Sequence, residues 1–520
     1  MVKRRFSDET ALTVPFTIAL RFVINRVSAV PIGSIRATLM RFLDSRRTVY
    51  WILGLGLLIR IVPLMMVGGK FLAHENPSYD GMALQLMNHV NFSPYWPPGF
   101  PYYLAFFHEV FGPGMLVARA SMLVIYGAFS VMLYALVREF SSQWAANLAV
   151  LTFAVYPSYV RYAFNPSTEY PTAFCLLAVA YLTLRIARNP YYWEAALLGV
   201  SLAVLALVRS NSLGLAVIVP TYILMRTKKW AVALVSLLIS SVLIGAWLWK
   251  AYELAGHFVL INDSNEENFV FANHPDTPLK VTCRDCPEEW HVPASFLRLE
   301  REIDYKPSAE RQHVLRDATV HYVLARPDLF VVRMLIRFCA YFTFPIHYAD
   351  PLVHHYEAGA LMRRGTGALI TVAEVCFFWP IIILAVIFCF NLPSFPEVRE
   401  GILAMLGIAG VYAIPCWLTW SQARYAFPVI PVLAVFAFVL VNAVREKQWR
   451  EIVRPVLIST RRRTAMLLAL ALFGYIQAEW ILLIVSSNTW QQPIQRTAVL
   501  LLAPAEYLNA HDGIAHQRLK

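Results

Sequence analysis

Residues 69–119 read GKFLAHENPSYDGMALQLMNHVNFSPYWPPGFPYYLAFFHEVFGPGMLVAR. The stretch lies between one apolar run that ends near 68 and another that begins at 115. A connection between two buried segments needs only a few polar turn residues. This one carries two carboxylates, Glu75 and Asp80, close behind the first run, and then the corner Trp96-Pro97-Pro98-Gly99-Phe100-Pro101. Each proline fixes φ and removes a backbone donor, so the corner is stiff. The stretch reads as a platform for chemistry, and the rest of the chain as what holds it.

Composition says what kind of solvent surrounds that platform. The 520 residues are 58% hydrophobic and only 15% charged, with a mean hydropathy of +0.52. Soluble proteins carry about 25% charge, so this is an integral membrane protein, all-α and polytopic. A span takes about 20 mostly apolar residues. Eleven segments qualify: 50–68, 115–137, 144–160, 169–187, 193–208, 212–226, 231–249, 367–390, 401–419, 425–443 and 464–486. The net charge of +12 sits in basic clusters between them. That is the pattern of cytoplasmic loops and argues against a nucleic-acid partner. The basic N-terminal segment 1–49 is then inside, loop 69–114 outside, and the cluster 445–463 inside. The basic first 49 residues do not read as a cleavable signal peptide, and residues 14–32 read as an amphipathic surface helix rather than a span.

The remaining organisation follows from the charges. Segment 330–346 is apolar enough for a twelfth span. Arg333 and Arg337 instead suit a surface helix that snorkels its charges to water. Residues 250–366 are therefore expected outside as one loop domain, with an amphipathic helix at 307–328. It separates an N-terminal membrane module, 50–249, from a C-terminal one, 367–486, followed by a tail, 487–520. No repeat is evident, no Walker A motif is present, and no GxGxxG follows a strand.

Several polar residues stand where apolar ones would be expected. Glu75 and Asp80 are candidate general bases, or else solvated loop charges. Glu169 opens the fourth span, where a carboxylate is also favoured simply by the helix dipole. Arg119, Arg209 and Arg424 lie at or near outer span ends, where guanidinium suits a phosphate. Arg209-Ser210-Asn211 joins two short spans, and a charge that deep should face a polar cavity or a phosphate. Cys283 and Cys286, with His274 and His291 on either side, fit zinc, a local disulfide or two free thiols. The other five cysteines read as small core residues.

Taken in order, these pieces resemble the polyprenyl-phosphate-sugar-dependent glycosyltransferases of the C superfamily (GT-C). That group includes bacterial relatives of protein O-mannosyltransferases and lipid A aminoarabinose transferases. Glu75, Tyr79, Ala83 and Leu86 keep the spacing of the family's first outer loop, and Trp96 to Pro101 match its aromatic-proline run. Arg119, Tyr156-Pro157, Glu169 and Leu207-Val208-Arg209 continue the match. So do Asn262 to Asn273, with Asn265 and Asn273, and the late Arg424-Tyr425 with Pro428 and Pro431.

The resemblance implies a sugar donor linked to polyprenyl phosphate and a lipid, glycan or protein acceptor. It implies transfer with inversion outside the cytoplasm, in a bacterial inner membrane. Glu75, Asp80 and Glu169 would be the catalytic acids. Arg119, Arg209, Arg424, Tyr425, Tyr79, Trp96, Asn265 and Asn273 would bind substrate. The family's acid is usually Asp where Glu75 stands, and Asp80 follows five residues later, on a different helix face. Register favours Glu75 and residue type favours Asp80. No cofactor is required by the sequence, although a divalent cation is compatible with it. The rival readings are a transporter or flippase of lipid-linked sugars and an inactive scaffold of the same fold.

Overall fold

A computed structural model describes residues 38, 40–69, 78–88, 92–163, 165–273, 308–344, 360–421, 423–446 and 459–487. Among these the chain is helical, with no strand. The helices are α1 (Thr48–Val67), α2 (Ser78–Met87), α3 (Gly99–Phe111), α4 (Met115–Arg138), α5 (Gln143–Val155) and α6 (Pro157–Arg161). They continue as α7 (Glu169–Arg188), α8 (Tyr192–Val208), α9 (Leu215–Thr227), α10 (Trp230–Ala255), α11 (Ser264–Asn273) and α12 (Ser308–Ala325). Then come α13 (Pro327–Tyr341), α14 (Ala360–Asn391), α15 (Pro396–Leu418), α16 (Ala423–Ala426), α17 (Ile430–Arg445) and α18 (Thr460–Ser487).

The segments expected to span are helical over most of their length, but four of the eleven, 144–160, 193–208, 212–226 and 425–443, fall in helices of 17 residues or fewer. Among the described residues seven helices are long and apolar enough to cross a membrane, in α1, α4, α7, α10, α14, α15 and α18. The shorter apolar helices α5, α8 and α17 pack beside them. Small residues allow the closest approaches, as expected where helices pack in lipid. A Cβ on Gly199 of α8 would lie 2.7 Å from the Ser236 carbonyl of α10.

The antiparallel run of helices sorts charge by end. One end gathers the ion pairs Arg185–Glu194 (2.6 Å), Arg445–Asp44 (2.7 Å), Arg188–Glu139 and Arg226–Glu400. The other end is where α7 begins and α8 and α15 finish, and it holds the polar cavity described below.

Two sets of arginines depart from the sequence reading. Arg60, inside the first apolar run, is fully buried. It donates to the carbonyls of Gly56 and Ala154 (2.9 Å each), Phe153 (3.1 Å) and Tyr159 (3.0 Å), and stacks 3.8 Å above the Tyr126 ring. Phe153 and Ala154 belong to the last turn of α5, where carbonyls lack a partner within the helix. Arg60 therefore caps a helix end inside the membrane region.

Arg333 and Arg337 are the second set. The segment 330–346 is helical over most of its length, in α13, but its arginines do not snorkel to water. They are 2% and 1% exposed. Both donate to carbonyls at the C-terminal end of α11. An arginine on an apolar helix can reach either water or an open helix end, and sequence alone does not distinguish the two. The expected helix at 14–32 and the tail at 488–520 lie outside the described residues.

Candidate active site

The platform corner is built by close backbone contact. α3 begins at Gly99, where a Cβ would sit 2.8 Å from the Leu207 carbonyl carbon and 2.9 Å from Val208 N. Glycine is needed because the end of α8 passes there. That contact sets the distance between the Trp96 corner and Arg209, the residue that follows α8.

Between them lies a cavity of about 550 Å³. Tyr79, Tyr95, Trp96 and Pro97 form one wall, from α2 and the corner. Asn165 to Glu169, at the start of α7, form a second, with Arg209, Ser210 and Asn211 beside them. Asn262, Ser264, Asn265 and Asn268 supply a third wall, and Cys416, Thr419, Trp420, Arg424 and Tyr425 a fourth.

Hydrogen bonds tie these walls together. Arg209 Nη1 donates to Thr168 Oγ1 at 3.1 Å. The same Nη1 lies 3.6 Å from Glu169 Oε1. Ser210 Oγ donates to Asn265 Oδ1 at 2.9 Å. Asn211 donates to the Tyr412 carbonyl (3.2 Å) and to Cys416 Sγ (3.1 Å). The backbone N–H of Asp263 donates to Pro94 O (2.9 Å) and that of Ser264 to Tyr95 O (3.3 Å), which pins the start of α11 to the platform. Burial, and then the Glu169 carboxylate, push the Tyr79 phenol above its usual range. It is a neutral donor at any physiological pH.

Arg209 and Arg424 approach the Tyr425 ring at 4.9 and 5.2 Å. This places two guanidiniums, groups chemically suited to an anion, at the wall of a partly buried pocket. The surrounding aromatics and amides are the groups that bind a sugar's apolar faces and hydroxyls.

Of the expected site residues, the cavity gathers Tyr79, Trp96, Glu169, Arg209, Asn265, Arg424 and Tyr425. Asp80 is not among them. It is buried against His108 of α3, with Oδ1 2.7 Å from Nε2. Arg119 is also elsewhere, buried in α4 and donating to the Gly68 carbonyl at the end of α1. Asn273 closes the far end of α11, donating to Leu418 O at 3.0 Å and accepting from Arg337 at 3.1 Å. Helix ends left open by the fold explain Arg119 and Asn273, since their carbonyls take whichever donor is near. Glu75, His274, Cys283, Cys286 and His291 lie outside the described residues.

The sequence reading did not single out Asn165, Ser167, Thr168, Asn268 or Trp420. Their common signal is a polar residue or an indole beside a span end on the Arg209 side. Among the described residues no group of three or more His, Cys, Asp or Glu is placed to hold a metal ion.

The fold and the cavity define a multi-pass helical membrane protein with an aromatic-walled, arginine-bearing cavity at one end of its spans. Residues 96–249, which include part of the first wall and all of the second, match the family described as dolichyl-phosphate-mannose-protein mannosyltransferase. That match relates the segment to the membrane glycosyltransferases of the C superfamily.

Similar solved structures include the following two. One is the archaeal oligosaccharyltransferase AglB from Archaeoglobus fulgidus, in complex with an inhibitory peptide and a dolichol-phosphate. It is 14% identical, with 87% of this chain and 57% of that one covered and a TM-score of 0.43. The other is ArnT from Cupriavidus metallidurans bound to undecaprenyl phosphate, at 13% identity, 79% and 81% coverage and a TM-score of 0.37. The chain thus spans little more than half the length of AglB. No curated protein matches it in sequence.

Proposed function

We propose that the protein is an integral-membrane glycosyltransferase. It transfers a sugar from a polyprenyl-phosphate donor to a lipid, glycan or protein acceptor on the extracytoplasmic side. The observation that carries this reading is the pair Arg209 and Arg424 flanking Tyr425 in a cavity otherwise lined by aromatics and amides.

The donor phosphate takes the guanidinium hydrogen bonds, and its polyprenyl chain lies along the apolar helices. The acceptor hydroxyl gives its proton to a carboxylate. Its oxygen attacks the anomeric carbon opposite the phosphate, and the carbon–oxygen bond to phosphate breaks, with inversion. Negative charge grows on the leaving phosphate, so the two arginines act most strongly in the transition state. Glu75, four residues ahead of the wall residue Tyr79, is proposed as the base. Glu169 orients Arg209.

The test is transfer or slow hydrolysis of radiolabelled polyprenyl-phosphate sugars by the purified chain in detergent, with a lipid and glycan acceptor extract. One donor should be consumed by wild type and not by Arg424→Ala. A donor that binds but is never consumed, with or without acceptor, would move the assignment to a carrier or an inactive scaffold.

A further inference from the structure

Helix α13 contributes no residue to the cavity lining, yet two of the cavity's walls depend on it. It packs against α15, whose end leads into Thr419 and Trp420, and against α16, which carries Arg424. Through its arginines it also holds α11. Arg333 Nη1 donates to the Asn273 carbonyl at 2.8 Å. Arg337 Nη2 donates to Ala272 O, and its Nη1 donates to Leu418 O (3.0 Å) and Asn273 Oδ1 (3.1 Å). Asn273 Nδ2 donates to the same Leu418 carbonyl at 3.0 Å.

We propose that Arg337, seconded by Arg333, is a positioning residue for the cavity. It locks the C-terminal ends of α11 and α15 together and so sets the spacing between the Ser264–Asn268 wall and the Trp420 wall. The argument is electrostatic and geometric. Helix C-termini present unpaired carbonyls and the negative end of the dipole, so two converging C-termini favour a buried cation. Guanidinium has five donors in a fixed fork and can serve both ends at once, whereas an ammonium is a single point. The N-terminal end of α11 is already pinned to Pro94 and Tyr95. With the Arg337 bond lost, α11 is left hinged on the platform, and Asn265 and Asn268 swing with it.

The experiment uses the full chain in detergent as wild type, Arg337→Lys and Asn273→Ala, the latter leaving both charges in place. Hydrogen exchange is followed over 264–273, with α7 as internal reference. Affinity for undecaprenyl phosphate is read from quenching of intrinsic tryptophan fluorescence. The expected result is exchange in α11 at least tenfold faster with α7 unchanged, and affinity lowered fivefold or more. Combined with Asn265→Ala, Arg337→Lys should lose less than the product of the two separate losses, because both act through one wall.

Unchanged exchange in α11 overturns the proposal. So does faster exchange with unaltered affinity, or acceleration spread evenly over all helices, which is plain loss of stability. The affinity readout rests on the proposed function. If wild type binds no lipid phosphate, that function falls, and the exchange data alone decide whether Arg337 holds α11.

Discussion

Arg209 Nη1 stands 3.6 Å from Glu169 Oε1, and both side chains are largely buried at the cavity wall. The carboxylate offsets part of the cationic field that a phosphate would meet. Glu169→Gln keeps the shape and removes the charge. It should tighten binding of undecaprenyl phosphate by roughly threefold to tenfold, equivalent to about 0.7–1.4 kcal/mol. Turnover should fall, because Arg209 loses its orienting partner. Unchanged lipid-phosphate affinity would mean that Glu169 merely favours the start of α7. Arg209→Ala, by contrast, should lower kcat/KM by roughly 10²–10³-fold, the usual loss for one donor to a developing charge.

Gly99 is where packing and chemistry meet. A methyl group added there has no room against Leu207 and Val208, and the obstacle is backbone rather than a flexible side-chain tip. Gly99→Ala should destabilise the protein by about 1–3 kcal/mol, as overpacking does. It should also weaken lipid-phosphate binding, because α8 must shift and Arg209 shifts with it. Thermal unfolding in detergent and fluorescence titration measure the two effects separately. Lost stability with wild-type affinity would detach the corner from the site.

These contacts mark what the sequence can and cannot tell. The apolar runs declare the helices, because lipid demands long segments with internally bonded backbones. Arg209 and Arg424 are conspicuous because a charge at a span end needs a reason. Arg60, Arg119, Arg333 and Arg337 carry the same signal with a different cause. Their partners include main-chain carbonyls, most of them at helix ends, which have no side-chain signature. Asn273 sits in a motif that looks like substrate recognition and instead knots two helices together. Residue type marks where a charge is anomalous, and tertiary structure decides whether ligand or backbone answers it.

Arg60 gives that distinction a stability test. Four carbonyls from α1 and the α5–α6 region depend on one guanidinium. Arg60→Met fills the volume but orphans them, and Arg60→Lys reaches too few of them. Each should destabilise by about 3 kcal/mol or more, since unpaired buried carbonyls and lost charged hydrogen bonds add up. Lipid-phosphate affinity of the folded fraction should stay near wild type, because Arg60 contributes nothing to the cavity lining. A melting temperature for Arg60→Met equal to that of wild type would be incompatible with capping: the shift per kcal/mol, about 2–4 °C for 150–250 residues, is smaller for a longer chain, but a loss of about 3 kcal/mol is still measurable.

The pairing of Asp80 with His108 bears on which carboxylate is the base. The pair is buried and joins α2 to α3, behind the wall that Tyr79 presents to the cavity. A base must reach the acceptor proton directly or through one water, and a carboxylate bonded to a buried imidazole is poorly placed to do so. Glu75→Gln should therefore lower turnover by roughly 10²–10⁴-fold. Asp80→Asn, which retains an oxygen able to accept from His108, should stay within about tenfold of wild type. His108→Ala should mimic Asp80→Ala in melting temperature, and the double variant should be little worse than either, because both remove one contact. Single-turnover rates with a polyprenyl-phosphate sugar separate the two acids. If Asp80→Asn abolishes turnover while Glu75→Gln does not, Asp80 is the base, and the imidazole must be read as its orienting partner.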